Sequence, residues 1–181
     1  MNMKQVWILS LALVLTAVVG CAATDEKRST GEVMDDSAIA ARTKSALLAD
    51  PVTDGLNIDV EVDRSQVQLN GFVDSQAQIN RAGEIARSVS GVETVQNNLQ
   101  VSDGGKRTTG EYIDDNVLQA RVKAALANDP VVHSMKVDVE VNRGEVSLGG
   151  YVDSAAQRDT AVEITRRVEG VVKVYNNLTV R

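Results

Sequence analysis

The stretch VQLNGFVDSQAQ, Val67 to Gln78, reads as the end of a strand, a glycine and the start of a helix, and it returns as VSLGGYVDSAAQ, Val146 to Gln157. Working outward, one constant shift places Gly31 on Gly110, Arg42 on Arg121, Asp50-Pro51 on Asp129-Pro130 and Asn97-Asn98 on Asn176-Asn177 without a gap. About half of the aligned positions are identical. Self-similarity at a fixed period marks tandem copies of one structural unit. Residues 103–110, within the Gly-rich and polar SDGGKRTTG, read as the hinge between them. Each copy has about 70 residues, near the lower limit for folding alone, so the copies are expected to support each other by packing.

Periodicity gives the order of elements within a copy. In DDSAIAARTKSALLADP the residues Ile39, Thr43, Ala46 and Leu47 recur at helical spacing, with Asp35 or Asp36 expected as cap and Pro51 as stop. Next, Ile58, Val60 and Val62 alternate with Asp59, Glu61 and Asp63, the chain turns at DRSQ, and Val67, Leu69, Gly71 and Val73 resume the inward phase. Ser75 and Gln78 have capping-box spacing before a helix with the stripe Ala82, Ile85, Ala86 and Val89, and Gly91 ends it. A last strand spans Thr94 to Val101. The expected fold is therefore α+β: two tandem αββαβ units, each a three-stranded sheet with two helices on one face.

The inward glycines Gly71 and Gly150 are expected to let a helix approach closely, and no P-loop lysine follows them. Asn97 and Asn176 are expected to satisfy nearby backbone groups. The acidic row Asp59, Glu61, Asp63 and its echo Asp138, Glu140 reads as the solvated face of a strand rather than a cation site, because calcium loops need turn-forming spacing. Phe72, Tyr151 and Tyr175 fall on that same outward phase, and an outward aromatic set is expected either to bind something or to be covered by the sheet of the other copy.

The chain has 181 residues, 43% hydrophobic and 24% charged, as in ordinary globular proteins. A net charge of −6 and only 3% aromatic residues argue against nucleic acid as a partner. His133 is the only histidine and has no second histidine or free thiol for a zinc site; it reads as an exposed loop residue. No serine stands in a nucleophile-elbow pattern. No metal, cofactor or catalytic residue is expected, and the chain reads as a non-enzyme.

Residues 1–20 read as a secretory signal peptide, with Lys4 as the positive region and an apolar run from Val6 to Val19. The single cysteine, Cys21, directly follows AVVG, which resembles a bacterial lipobox; the resemblance implies cleavage before Cys21 and a diacylglycerol on its thiol. Residues 21–31, small and polar, then form a lipidated tether. Ala22 in place of an aspartate implies the outer membrane, facing the periplasm, rather than the inner one.

The pattern VxLxGxVxS, then a helix and GVxxVxNxLxV, stands at Val67–Ser75 with Gly91–Val101 and again at Val146–Ser154 with Gly170–Val180. It resembles the BON domain, over residues 32–102 and 111–181. With the lipobox, the chain is similar to periplasmic lipoproteins with two BON domains, a group that also resembles osmotically induced periplasmic proteins lacking the lipid. The resemblance implies binding of anionic phospholipid and maintenance of the cell envelope, with Gly71, Gly150, Asn97 and Asn176 as fold determinants. The other open reading is a periplasmic protein-interaction scaffold or a stress-related holdase with an envelope protein as partner.

Charge separates the copies. Ala22 to Gly105 carries seven lysines and arginines against fourteen acids, whereas Lys106 to Arg181 carries eleven of each. An anionic leaflet would repel the first copy, so the second is expected to meet lipid, through Arg121 and Lys123 on its first helix, Arg158, Arg166 and Arg167 on its second, and Tyr112 as an interfacial aromatic. For the anchor, Cys21→Ala is expected to leave a folded, fully soluble periplasmic protein. Fractionation of that variant with membranes through high-salt washing would show that the anchor lies elsewhere.

Overall fold

The structure, a computed structural model, describes residues 30–53, 57–102, 109–132 and 137–181, leaving aside the side chains of 30–32, 34 and 109–113. Cys21, most of the tether and His133 lie outside the described residues. The first repeat runs α1 (Thr30–Ala49), β1 (Ile58–Asp63), β2 (Gln66–Val73), α2 (Gln76–Ser88), β3 (Thr94–Asn97) and β4 (Gln100–Val101). The second runs α3 (Thr109–Ala127), β5 (Val137–Asn142), β6 (Glu145–Val152), α4 (Ala155–Arg167), β7 (Lys173–Asn176) and β8 (Thr179–Val180).

In each repeat the central strand, β2 or β6, pairs antiparallel with the strand before it and parallel with the last segment of the repeat. The final strand expected from Thr94 to Val101 is interrupted at Asn98 and Leu99, but Phe72 meets Gln100 in the same register that joins Leu69 to Asn97. The break lies opposite Gly71, whose φ of +122° bends the central strand; Gly150 repeats it at +103°. These values explain the glycines differently from the sequence expectation. A Cβ on Gly71 would collide with the carbonyl oxygen of Asn57, at the entry to β1, and not with a helix. The constraint is thus a backbone conformation that L residues avoid, with the Asn57 backbone closing the space at Gly71.

The second helix of each repeat starts as its spacing predicts. Ser75 and Ser154 accept from the amides of Gln78 and Gln157, and those glutamines accept in turn from the N–H groups of Asp74 and Asp153. The first helix does not. It begins at Thr30, so Asp35 and Asp36 lie inside it and neither is its cap. Asp36 is instead buried, and its two oxygens accept from the amides of Arg64 and Ser65, 2.9 Å each. Both turn residues have positive φ, as a two-residue hairpin turn requires, which aims their N–H groups at one carboxylate. Asp115 repeats the contact on Arg143 and Gly144 at 2.8 and 3.1 Å.

The helices cover one face of each sheet. Ile39, Leu47, Ile58, Val67, Leu69, Val73, Ala82, Ile85, Ala86 and Leu99 make the first core, and Leu118, Val122, Leu126, Val137, Val139, Val146, Leu148, Ala161 and Leu178 are among the second. Asn97 donates to the carbonyl of Ile79 at 2.7 Å and accepts from Leu99, and Asn176 accepts from Leu178, the backbone duty expected of them.

The opposite faces of the two sheets pack on each other, giving the layers helix, sheet, sheet, helix. Gln68 and Asn70, on the non-core phase of β2, are completely buried. Gln68 accepts from the amide of Gly150 at 2.6 Å and donates to the carbonyl of Asn177 and the hydroxyl of Thr179 at 2.7 and 3.1 Å. Tyr151 donates to the carbonyl of Gln66 at 3.0 Å, and Phe72 meets Tyr175 edge-on with centroids 6.0 Å apart. The outward aromatics are covered by the other repeat. The same packing corrects the reading of the acidic row: Asp59, Glu61, Asp138 and Glu140 are partly buried and Asp63 is buried, so the row is no solvated face.

Because Gly150 combines a positive φ with an amide held by Gln68, Gly150→Val is expected to destabilise the protein by about 1 to 3 kcal/mol through backbone strain. Thermal unfolding measures it, and an unchanged midpoint would contradict the strain account.

Candidate functional site

Three segments of the second repeat converge at one end of its sheet. The β5–β6 turn is held by Asp115 from α3, and the amide of Val172, after α4, donates to the carbonyl of Gly144 at 2.8 Å. Gly144 is needed there: a Cβ would lie 2.8 Å from the carbonyl oxygen of Gly170 and 2.9 Å from Val172. Between these segments lies an open groove of about 490 Å³ lined by Asp114, Val117, Arg121, Arg143, Glu169 and Val172, with Leu118 beneath.

Two apolar side chains stand in solvent here. Val172 is 78% exposed and Val117 is 44% exposed. At the matching positions the first repeat has Glu93 and Ala38, both exposed, so its corresponding end lacks the pair of valines. Arg121 and Arg143 add two guanidinium groups, and Asp114 and Glu169 lie on the same lining. The groove can therefore offer an apolar contact flanked by cations, a combination suited to an interface between hydrocarbon and polar headgroups.

The structure brings only part of the basic set to this place. Arg121 lines the groove. Lys123, two residues on, is rotated by about 200° around the helix and acts electrostatically on Asp138 at the inter-repeat interface. The two therefore do not form one cationic face. Arg158, Arg166 and Arg167 lie on α4 and are engaged by neighbouring acids, Arg158 with Asp159 at 3.0 Å and the other two with Glu163 at 3.5 and 3.4 Å. Such exposed pairs add little stability, but they reduce the charge that α4 can present. Tyr112 falls within α3, its side chain outside the described residues.

Sequence reasoning missed Val117, Arg143 and Val172. For the two valines the signal lay in the differences between the copies, GVVKV against GVETV putting a valine where the first copy has a glutamate, whereas Arg143 is matched by Arg64 and gave no such signal. Among the described residues no helix is long and apolar enough to cross a membrane, and no group of three or more His, Cys, Asp or Glu is placed to hold a metal.

Comparison with known proteins bears on both repeats. The family model of the BON domain matches residues 35–103 and again residues 114–181. Osmotically inducible protein Y of Escherichia coli (strain K12) is 41% identical over 148 residues, 82% of this chain and 74% of that protein. Outer membrane lipoprotein DolP of Haemophilus influenzae is 40% identical over 75 residues, 41% of this chain and 39% of that protein. A 21 kDa hemolysin of Actinobacillus pleuropneumoniae is 29% identical over 150 residues, 82% of this chain and 76% of that one.

Proposed function

The chain belongs to the BON domain family, and we propose that it is a non-enzymatic envelope lipoprotein whose second repeat docks on anionic phospholipid through the groove at Val117 and Val172. The observation that carries this reading is the contrast between Val172, 78% exposed, and its counterpart Glu93 in the first repeat. Withdrawing a projecting valine from water is worth about 1.5 kcal/mol or more, and a basic side chain near an anionic leaflet about 1 kcal/mol. Asp114 and Glu169 offset part of the arginine contribution, so insertion of the valines contributes more than the cations do. Docking should therefore depend less on salt than adsorption of a polybasic surface.

The relatives' names support the setting. One is an outer membrane lipoprotein and another is osmotically inducible, in keeping with an anchor at Cys21 in the outer membrane, a periplasmic location and a role in envelope integrity under osmotic stress. The protein-scaffold reading is weakened, because the aromatic surface on which it rested is occupied between the repeats.

Flotation of the unlipidated chain from Ala22 onward with vesicles tests the proposal. The expected result is binding to anionic vesicles that falls about tenfold or more in Val172→Glu, a loss of at least about 1.4 kcal/mol, and falls less in Arg121→Glu. Undiminished flotation of Val172→Glu would overturn the groove as the docking site. No flotation of the parent chain with either anionic or neutral vesicles would favour the scaffold.

A further inference from the structure

The inter-repeat interface holds a pair of acids that the lipid reading leaves unused. Asp59 on β1 and Asp138 on β5 occupy equivalent positions of the two repeats and come within hydrogen-bonding reach of each other between the sheets. Each has its Oδ2 buried and without a hydrogen-bond donor. Two carboxylates so placed cannot both remain charged at low cost, whereas one proton between them supplies the missing donor and removes a negative charge.

The surroundings add further negative charge around the pair. Glu61 follows on β1 and Glu140 on β5, and burial together with the charge of Asp59 pushes the Glu61 carboxyl up. Against them stand Lys123 on α3, which acts on Asp138, and Lys44 on α1, which donates to the carbonyl of Ile58 beside Asp59. The central strands add no charge here: Asn70 is registered with Asp59, and Gly149 with Asp138. A Cβ on Gly149 would strike the Asn70 carboxamide, so the sheets are in close contact next to the pair.

We propose that Asp59 and Asp138 form a proton-dependent clamp between the two repeats: with a proton shared between them the sheets stay face to face, and loss of that proton drives the repeats apart. Burial, then the negative charges of Asp59 and Glu140, push the Asp138 carboxyl up to about 8. This sets the direction of the pH effect. A carboxyl whose pKa is higher in the docked state stabilises that state most at low pH. The contribution is lost as pH rises from the ordinary carboxylate range, about 4, through about 8. Opening would uncover Phe72, Tyr151, Tyr175 and the polar row around Gln68.

Ala77 on α2 and Ala156 on α4 are exposed and equivalent, and spin labels attached through Ala77→Cys and Ala156→Cys, in the full chain carrying Cys21→Ala, report the separation of the repeats. A single short distance is expected near pH 5. Toward pH 9 a longer one should grow in, the docking constant falling by no more than about tenfold per pH unit for one proton. Asp138→Asn or Asp59→Asn supplies a permanent amide donor and one charge fewer, so either variant should keep the short distance throughout. A parent distance unchanged across that range, or variants that open with the parent's profile, would overturn the clamp. The parent profile decides the matter even where a variant fails to fold.

Discussion

Gln68 sits on the wrong phase of its strand for the core of its own repeat and yet is wholly buried. A carboxamide in that position must have its donors and acceptor met, since an unmet buried polar group costs about 1 to 3 kcal/mol. Its partners in the other repeat are the amide of Gly150, the carbonyl of Asn177 and the hydroxyl of Thr179. Apolar faces tolerate sliding, but these directional bonds fix one orientation of sheet on sheet. Two copies of about 70 residues, each marginal alone, thereby become one packed body.

Much else depends on that docking. It covers Phe72, Tyr151 and Tyr175, it makes Arg181 bridge Asp63 and Asp153 across the repeats at 3.4 and 2.9 Å, and it draws an acidic row out of water. It also leaves the ends of the sheets open to solvent, where the copies can differ. At one such end the second repeat carries Val117 and Val172 beside Arg121, and the first carries Ala38 and Glu93 beside Arg42. Divergence has acted on an exposed end while the buried frame, Asp36 and Asp115 on the hairpin turns and Ser75 and Ser154 on the helix caps, stayed duplicated.

The elements were legible in the sequence because their signals are local. Alternation from Ile58 to Val62, the stripe Ala82, Ile85, Ala86 and the cap Ser75 each depend on residues within a turn or two, and all are where the pattern places them. What depends on distant partners has no local signal. Asp59 and Glu61 alternate with valines as an exposed strand would, and only the second sheet, a fold-level neighbour, partly buries them. Asp36 has the composition of a helix cap, yet its partners lie on a turn 28 and 29 residues away. Gly71 announces a need for glycine without saying whether helix, strand or backbone angle imposes it. The groove was hidden for the same reason: Val117, Arg143 and Val172 are far apart in the chain and meet only through the Asp115 turn contact and the Val172 to Gly144 hydrogen bond.

The docking of the two sheets through Gln68 is the claim on which the rest stands, and amide hydrogen exchange at Gly150 tests it most directly. Its N–H points into the interface, where Gln68 accepts it at 2.6 Å. At pH 5 this amide is predicted to be protected to the level of its neighbours in β6 and to lose that protection selectively in Gln68→Ala. Fast exchange at Gly150 in the parent chain, or protection unaltered by the substitution, would contradict the account.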